Sequence, residues 1–373
     1  MPKKGENIYK RKDGRWEGRY IKAYRPDGKA QYAYVYGKTY TDTKQKLLAA
    51  RIDHSKGKES KCRPVQYKDV MRGWLTVSRL RIKESTYSRY VQLANSHIIP
   101  YLGELFLDQL NTQVVEQHIV FLLSKGRLDG KGGLASKTTS DILTVIKGSI
   151  EYGRCCGYMI NCYLDKLVVK KPIVDMRVLS KDEQNRLQAV LLSDTDLRKF
   201  GVLLCLYTGI RIGEVCALKW ENIDLERGIL SIRETLQRIQ GATTDGKKKT
   251  KVIITEPKSK RSIRDIPLPS FLVAMAKSFW SVPKAYILTG LPDKYIEPRL
   301  LQYSFKKYAL ACGLEGVNYH ALRHTFATRC IELGFDVKTL SEILGHTSVT
   351  ITLNRYVHSS MDAKRANMER LML

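Results

Sequence analysis

Acidic residues are scarce in this chain. Its 373 residues hold 37 Asp and Glu against 64 Lys and Arg, giving a formal charge of +27 and a pI near 9.7. An excess of that size fits an extended polyanion, with nucleic acid first among the candidates. Lysine added for solubility alone is the plainer alternative. No apolar run nears the roughly 20 residues of a membrane span, and no signal-type apolar region stands at the start. A cytoplasmic protein with no membrane partner is expected. The eight cysteines form no CxxC pair and sit mostly in apolar surroundings such as Leu204-Cys205-Leu206, which suits reduced, buried thiols better than disulfides or a structural metal. Low-complexity tracts and solenoid periods are also missing.

A chain of this length is too long for one ordinary core, so two or three domains are expected. Residues 1–63 are basic and rich in tyrosine. NIYKRKDGRWEGRYIKAY and AQYAYVYGKTY alternate around an Arg25-Pro26-Asp27-Gly28 turn, predicting a small antiparallel sheet of two or three strands. A helix follows from Thr41-Asp42-Thr43, with Leu47, Leu48 and Ile52 placed to pack on the sheet. Arg15, Trp16, Arg19, Tyr32 and Tyr34 are candidate nucleic-acid contacts, although any one tyrosine could simply fill a strand position. Ser55 to Arg63 reads as a linker.

From residue 64 to 172 the periodicity turns helical, with caps at Ser85 or Thr86, Asn111 or Thr112, and Ser136, and breaks at Pro100 and Gly130-Lys131-Gly132-Gly133. Four or five helices are predicted there. Residues 173–373 form the last domain. In it, Ser180 and Glu183 make a capping box and a helical pair spans Phe200–Leu218. GILSIRETLQRI and KVIITEPKSKRSIRDIPLP read as strands around a GATTDGKKKT loop, and helices return from Ser270. The fold class is therefore multidomain and mostly α, with a small α+β unit first, an all-α middle and a mainly α last domain carrying a small sheet.

Four elements of the last domain carry chemistry. In TGIRIGEVCAL, Gly209 breaks a helical run so that Arg211 opens the next helix with Glu214 one turn on. Glu256-Pro257-Lys258-Ser259-Lys260-Arg261 is a basic turn, as easily solvated as functional. His320 and Arg323 stand near one turn apart in HALRHTFATRC, with Leu322, Phe326 and Ile331 on the buried face. His320 and His324 share the spacing of a zinc-binding HExxH helix, but Ala321 replaces the glutamate and no metal is expected. In LGHTSVTITLNRYVH, His346 precedes Tyr356. A phenol with an ordinary pKa near 10 needs a proton acceptor or electrostatic help to act as a nucleophile, and two arginines can clamp the oxygens of a phosphate.

Taken singly these motifs are weak. In this order, however, Arg211, Lys258, His320-x-x-Arg323, His346 and Tyr356 resemble the catalytic set of the tyrosine recombinase (phage integrase) family, over about Val178 to Leu373. The resemblance implies that Tyr356 attacks a DNA phosphodiester to give a 3′-phosphotyrosine, with Arg211 and Arg323 on the phosphate and His346 bonded to it. Lys258 would protonate the leaving 5′-oxygen, with Lys260 the competing assignment. His320 would assist proton transfer at Tyr356, Glu214 would support Arg211, and His324 would be structural. Neither ATP, Mg²⁺ nor any other cofactor is implied.

The helical middle resembles the family's core-binding domain, and residues 1–63 resemble the arm-binding domain of phage and conjugative-transposon integrases. An integrase of a bacterial mobile element follows, gripping core and arm sites on double-stranded DNA as a homotetramer, with an excisionase and a DNA-bending protein as further partners. A Xer-like resolvase, a type IB topoisomerase and a catalytically silent DNA-binding regulator are the alternatives. Beyond Tyr356, Met361, Met368, Leu371 and Met372 fall at near-helical spacing, predicting a small amphipathic helix that docks on its own or a neighbouring domain.

Overall fold

In the computed structural model of the chain, residues 7–24, 29–57, 65–172, 176–244, 247–257, 259–356, 365, 368 and 369 are described. The Arg25–Gly28 turn, most of the proposed linker, Lys258 and nearly all of the C-terminal tail lie outside them. Met368 is described and is exposed.

The described chain opens with an antiparallel sheet, β1 (Ile8–Lys10), β2 (Trp16–Tyr24) and β3 (Ala30–Gly37), in the order β1-β2-β3. The register pairs Gly18 with Val35 and Arg19 with Tyr34. Alternation sorts the side chains. Gly18 faces helix α1 (Tyr40–Gly57), where an added Cβ would lie 3.3 Å from Leu47 and from Thr43. Leu47 and Thr43 are buried, whereas Leu48 is 61% exposed and does not pack on the sheet as its spacing predicted. Trp16 shares the register of Gly18 and stacks edge-on against Tyr40 at 5.4 Å. The opposite face carries Tyr9, Arg19, Tyr32, Tyr34 and Tyr36, and the four tyrosines are exposed. Because α1 continues to Gly57, the start of the expected linker is helical.

The middle of the chain is helical: α2 (Tyr67–Ser78), α3 (Glu84–Leu93), α4 (Ile99–Leu102), α5 (Thr112–Lys125) and α6 (Ser136–Cys155). Asn111 caps α5 by accepting from the Val114 amide, but α3 begins at Lys83 without a side-chain cap, not at Ser85 or Thr86. A wide turn over Ala94–Ile98 leads into α4, with Pro100 in its first turn. Two compact units emerge from the contacts. One holds the sheet, α1 and most of residues 96–167; the other holds residues 77–95, 134–142 and 168–373. In the first, α2 runs along α6, with a buried Tyr67–Ser149 hydrogen bond of 2.6 Å.

The second unit contains α7 (Lys181–Leu191), α8 (Leu197–Thr208), α9 (Ile212–Ala217), β4 (Ile223–Asp224), β5 (Ile229–Ile232), β6 (Thr235–Thr244), β7 (Lys247–Thr255), β8 (Arg264–Pro267), α10 (Ser270–Phe279), α11 (Pro298–Ala311), α12 (His320–Glu332), α13 (Val337–Leu344) and α14 (Val349–Tyr356). The Ser180–Glu183 capping box is present in full. Phe200, Trp220, Phe305 and Leu322 anchor its main core. Strands β4, β5 and β8 form one antiparallel sheet, and β6 and β7 a long hairpin. The expected GATTDGKKKT loop is therefore mostly strand, paired as far out as Thr244 with Lys247. Among the described residues no helix is long and apolar enough to cross a membrane.

Candidate active site

Helix α8 ends on Gly209 in a left-handed conformation, φ 65°. The turn is crowded: a Cβ on Gly209 would lie 2.5 Å from Phe326 Cδ1 and 2.8 Å from Leu344 Cδ2. Two residues on, Arg211 caps α9. Its main-chain amide donates to Glu214 Oε2 and its Nη1 to Oε1, both at 2.9 Å. Glu214 is buried while Arg211 stays 39% exposed, so the carboxylate fixes a guanidinium whose far side is open. Burial pushes the Glu214 carboxyl up, but the charges of Arg264 and Arg211 outweigh it and hold the group below its ordinary range.

Helix α12 delivers the second arginine. Arg323 is buried, and its guanidinium donates to the carbonyl oxygens of Gly209 at 2.6 Å and Leu344 at 2.7 Å. It thereby ties together the turns that end α8 and α13. Burial, reinforced by the nearby charge of Arg211, lowers its pKa to about 9. The turn after α13 repeats the left-handed device at Gly345 and presents His346. The His346 amide donates to Ser341 O at 3.0 Å, and its Nδ1 lies 2.8 Å from Thr352 Oγ1. Burial first, then Arg323 and Arg211, push its imidazole down to about 3, so the ring is neutral at pH 7.

Tyr356, at the end of α14, is 5% exposed and sits in a cluster with Ala327, Cys330, Leu340 and Leu344. Its ring lies parallel to that of His346, centroids 6.4 Å apart. Its hydroxyl is 2.9 Å from Nδ1 of His324. Burial raises the phenol pKa against the opposing charges of Arg323 and Arg355, so the resting phenol keeps its proton. Burial, then His320, hold the His324 ring down to about 4. A neutral His324 in the Nε2–H tautomer can therefore accept the phenol proton at Nδ1.

The histidine against the nucleophile candidate is thus His324, which sequence reasoning placed among structural residues. His320, expected to serve Tyr356, is exposed and stacks edge-on to His324 at 4.5 Å. Arg211, Glu214, Arg323, His346 and Tyr356 are gathered by α8, α9, α12, α13 and α14. A cleft of about 340 Å³ opens beside Arg211, lined also by Glu214, His346, Thr347, Glu256 and Lys83. Lys258 lies outside the described residues, as does the Lys260 side chain. In the same cleft, Lys83 Nζ donates to Pro257 O at 2.8 Å. No group of three or more His, Cys, Asp or Glu converges on a common point among the described residues.

Residues 177–363 match the Phage integrase family, and residues 66–123 match the Phage integrase, N-terminal SAM-like domain. The chain belongs to the phage integrase family. It is 28% identical to a Tyrosine recombinase XerC-like protein of Caldanaerobacter subterraneus subsp. tengcongensis, in an alignment covering 89% of each chain. It is also 28% identical to the transposase from transposon Tn916 of Enterococcus faecalis, over 55% of this chain and 54% of that one. Among solved structures, the Tn1549 transposon integrase in complex with transposon right end DNA shares the fold, with TM-score 0.66 at 20% identity. That match covers 83% of this chain and all of the other.

Two residues of this candidate site escaped the sequence reading. Arg264 is 5% exposed and donates to the same Glu214 carboxylate that holds Arg211. Its signal was an arginine in the inward register of a strand, two residues before buried Ile266. Thr352, fully buried, holds His346, and its signal was its place one turn before Tyr356. Of the N-terminal candidates, Arg19, Tyr32 and Tyr34 share the sheet's open face, and Arg19 lies over the rings of Tyr9 and Tyr32. Trp16 is turned to the helix side. Arg15 is exposed and paired with Asp13. Tyr9 and Tyr36 join the open face, as the i, i+2, i+4 spacing of Tyr32, Tyr34 and Tyr36 could have indicated.

Proposed function

We propose that this tyrosine recombinase integrates and excises a mobile DNA element by cleaving and rejoining double-stranded DNA through a 3′-phosphotyrosine. The observation that carries the reading is the Tyr356 phenol set against a neutral imidazole, within one cluster with Arg323 and His346. In the reaction, Arg211 and Arg323 balance the charge of the scissile phosphate and His346 hydrogen-bonds to it. The phenol oxygen bonds to phosphorus as the P–O5′ bond breaks. The phenol proton passes to the His320–His324 pair, and Lys258 or Lys260 protonates the leaving 5′-oxygen. The phosphotyrosine retains the energy of the broken phosphodiester, so rejoining needs no cofactor.

Residues 1–63 act as an arm-binding domain through the open face with Arg19, Tyr32 and Tyr34, while residues 64–172 and 173–373 close on the core site. The net charge of +27 supports a DNA partner held largely by phosphate contacts. It acts in the cytoplasm as a tetramer that exchanges strands between two sites, and an excisionase and a bending protein would set the direction. Support comes from the similarity to the Tn916 transposase and from the fold shared with the Tn1549 integrase. The alignment with the XerC-like protein favours a second reading, resolution of chromosome or plasmid dimers. Recombination between cloned ends of the DNA segment that carries the gene separates them. An integrase joins those ends only when arm sequences are present, whereas a resolvase needs a core site alone. Failure to recombine any pair of ends would defeat the mobile-element reading.

A further inference from the structure

Three guanidinium groups crowd around Glu214. Arg211 donates to both carboxylate oxygens, Nη1 to Oε1 and its main-chain amide to Oε2, each at 2.9 Å. Arg264 also donates to both, with Nη2 at 2.8 Å from Oε2 and Nη1 at 3.3 Å from Oε1. Arg323 stands near enough that the carboxylate charge acts on it. Arg264 and Glu214 are 5% and 2% exposed, whereas Arg211 is 39% exposed. The pair is therefore buried at the cleft's base, and Arg211 carries the exposed guanidinium.

Arg264 is itself fixed on several sides. It rises from β8 in the inward register, its Nη1 donates to Ser262 O at 2.9 Å, and its Nε donates to Ile343 O at the end of α13. A Cβ on Gly345 would come within 3.1 Å of Arg264 Cδ and Nη1, so the turn presenting His346 rests on this side chain. A planar fork held at both ends transmits position as a lysine ammonium cannot. Without it, Glu214 could swing toward Arg211 or take up a proton, and Arg211 would lose its fixed pose.

We infer that Arg264 is a positioning residue for strand cleavage, holding the Arg211 guanidinium against the scissile phosphate through the carboxylate that the two arginines share. The inference rests on the phosphoryl-transfer reading above. The experiment uses the full chain and a nicked suicide duplex carrying either an ordinary phosphodiester or a methylphosphonate at the scissile position. The methylphosphonate lacks the negative charge that Arg211 balances. Formation of the wild-type covalent adduct on the phosphodiester is read first, and its absence defeats the phosphoryl-transfer reading itself.

With that adduct in hand, Arg264→Met is expected to cleave the phosphodiester about 100-fold more slowly, the scale of a misplaced reacting group. Relative to wild type it should lose far less on the methylphosphonate. Arg264→Met combined with Glu214→Gln is expected to be no slower than Glu214→Gln alone, because both substitutions break one chain of contacts. Should Arg264→Met not fold, Arg264→Lys carries the test: it keeps the charge, loses the fork, and should show the same substrate dependence at about 10-fold. Equal slowing on both substrates, multiplicative losses in the double variant, or wild-type rates would each overturn the inference.

Discussion

Replacing Gly209 by alanine tests whether the turn after α8 sets the geometry of Arg323. Gly209 holds φ at 65°, and its missing Cβ would fall 2.5 Å from Phe326 Cδ1 and 2.8 Å from Leu344 Cδ2. The left-handed conformation costs an alanine about 1–2 kcal/mol. Forcing a methyl group into a filled core adds about 1–3 kcal/mol. Gly313 is the matched control, since it lies in the same unit at φ 72° with nothing within 4 Å of an added Cβ. Gly313→Ala should therefore lose only the conformational part. At roughly 2–4 °C per kcal/mol for a domain of this size, that is about 2–8 °C for Gly313→Ala and about 4–20 °C for Gly209→Ala. Thermal unfolding followed by circular dichroism reads the difference. Cleavage of a suicide substrate well below both transitions reads the second effect. Gly209 O accepts from Arg323 at 2.6 Å, so Gly209→Ala should slow cleavage while Gly313→Ala does not. Equal melting temperatures, or unchanged cleavage by Gly209→Ala, would refute the reasoning.

Thr352→Val removes the partner of His346 Nδ1, a hydrogen bond worth about 1 kcal/mol, and should lower the cleavage rate about fivefold with DNA affinity unchanged. An unchanged rate would show that the ring needs no such anchor. His324 and His346 have pKa values held below the ordinary 6.5, to about 4 and about 3, chiefly by burial. Below pH 6.5 the unfolded chain takes up protons that the folded rings refuse, so the stability these groups provide is full above that pH and falls as pH drops toward 4. Melting temperatures from pH 7.5 to 4.5 should decline, and less steeply in His346→Asn; parallel curves would contradict this origin. Tyr34→Ala should weaken binding to arm-site DNA with melting unchanged, because the ring is exposed, whereas Trp16→Ala should lower stability through its lost packing on Tyr40. The reverse pattern would place the DNA-contacting face on the other side of the sheet.

What could be read from sequence was what is local. Gly209, Arg211 and Glu214 lie within six residues, and a glycine break followed by a charged pair one turn apart determines their relation without the rest of the fold. The same holds for the Ser180–Glu183 box. Contacts between distant segments were hidden. His320 and His324 share one face of α12, and which of them meets Tyr356 depends on how α14 packs across that helix. Arg264 looked like one more basic residue beside Lys258 and Lys260 until the pairing of β8 with β5 put it inside. The GATTDGKKKT stretch has low intrinsic strand preference, yet cross-strand pairing from Thr235 to Thr244 carries it into the hairpin. Leu48 kept the helical spacing of a core residue but falls off the edge of a sheet too small to cover it.

The central claim is that Tyr356 becomes covalently joined to DNA. A nicked duplex from the end of the mobile element, incubated with the full chain, should yield an adduct whose proteolytic peptide contains Tyr356 bearing the 3′-phosphate of the cleaved strand. Tyr356→Phe should bind the same duplex without forming it. An adduct at another residue, or one formed undiminished by Tyr356→Phe, would contradict the account.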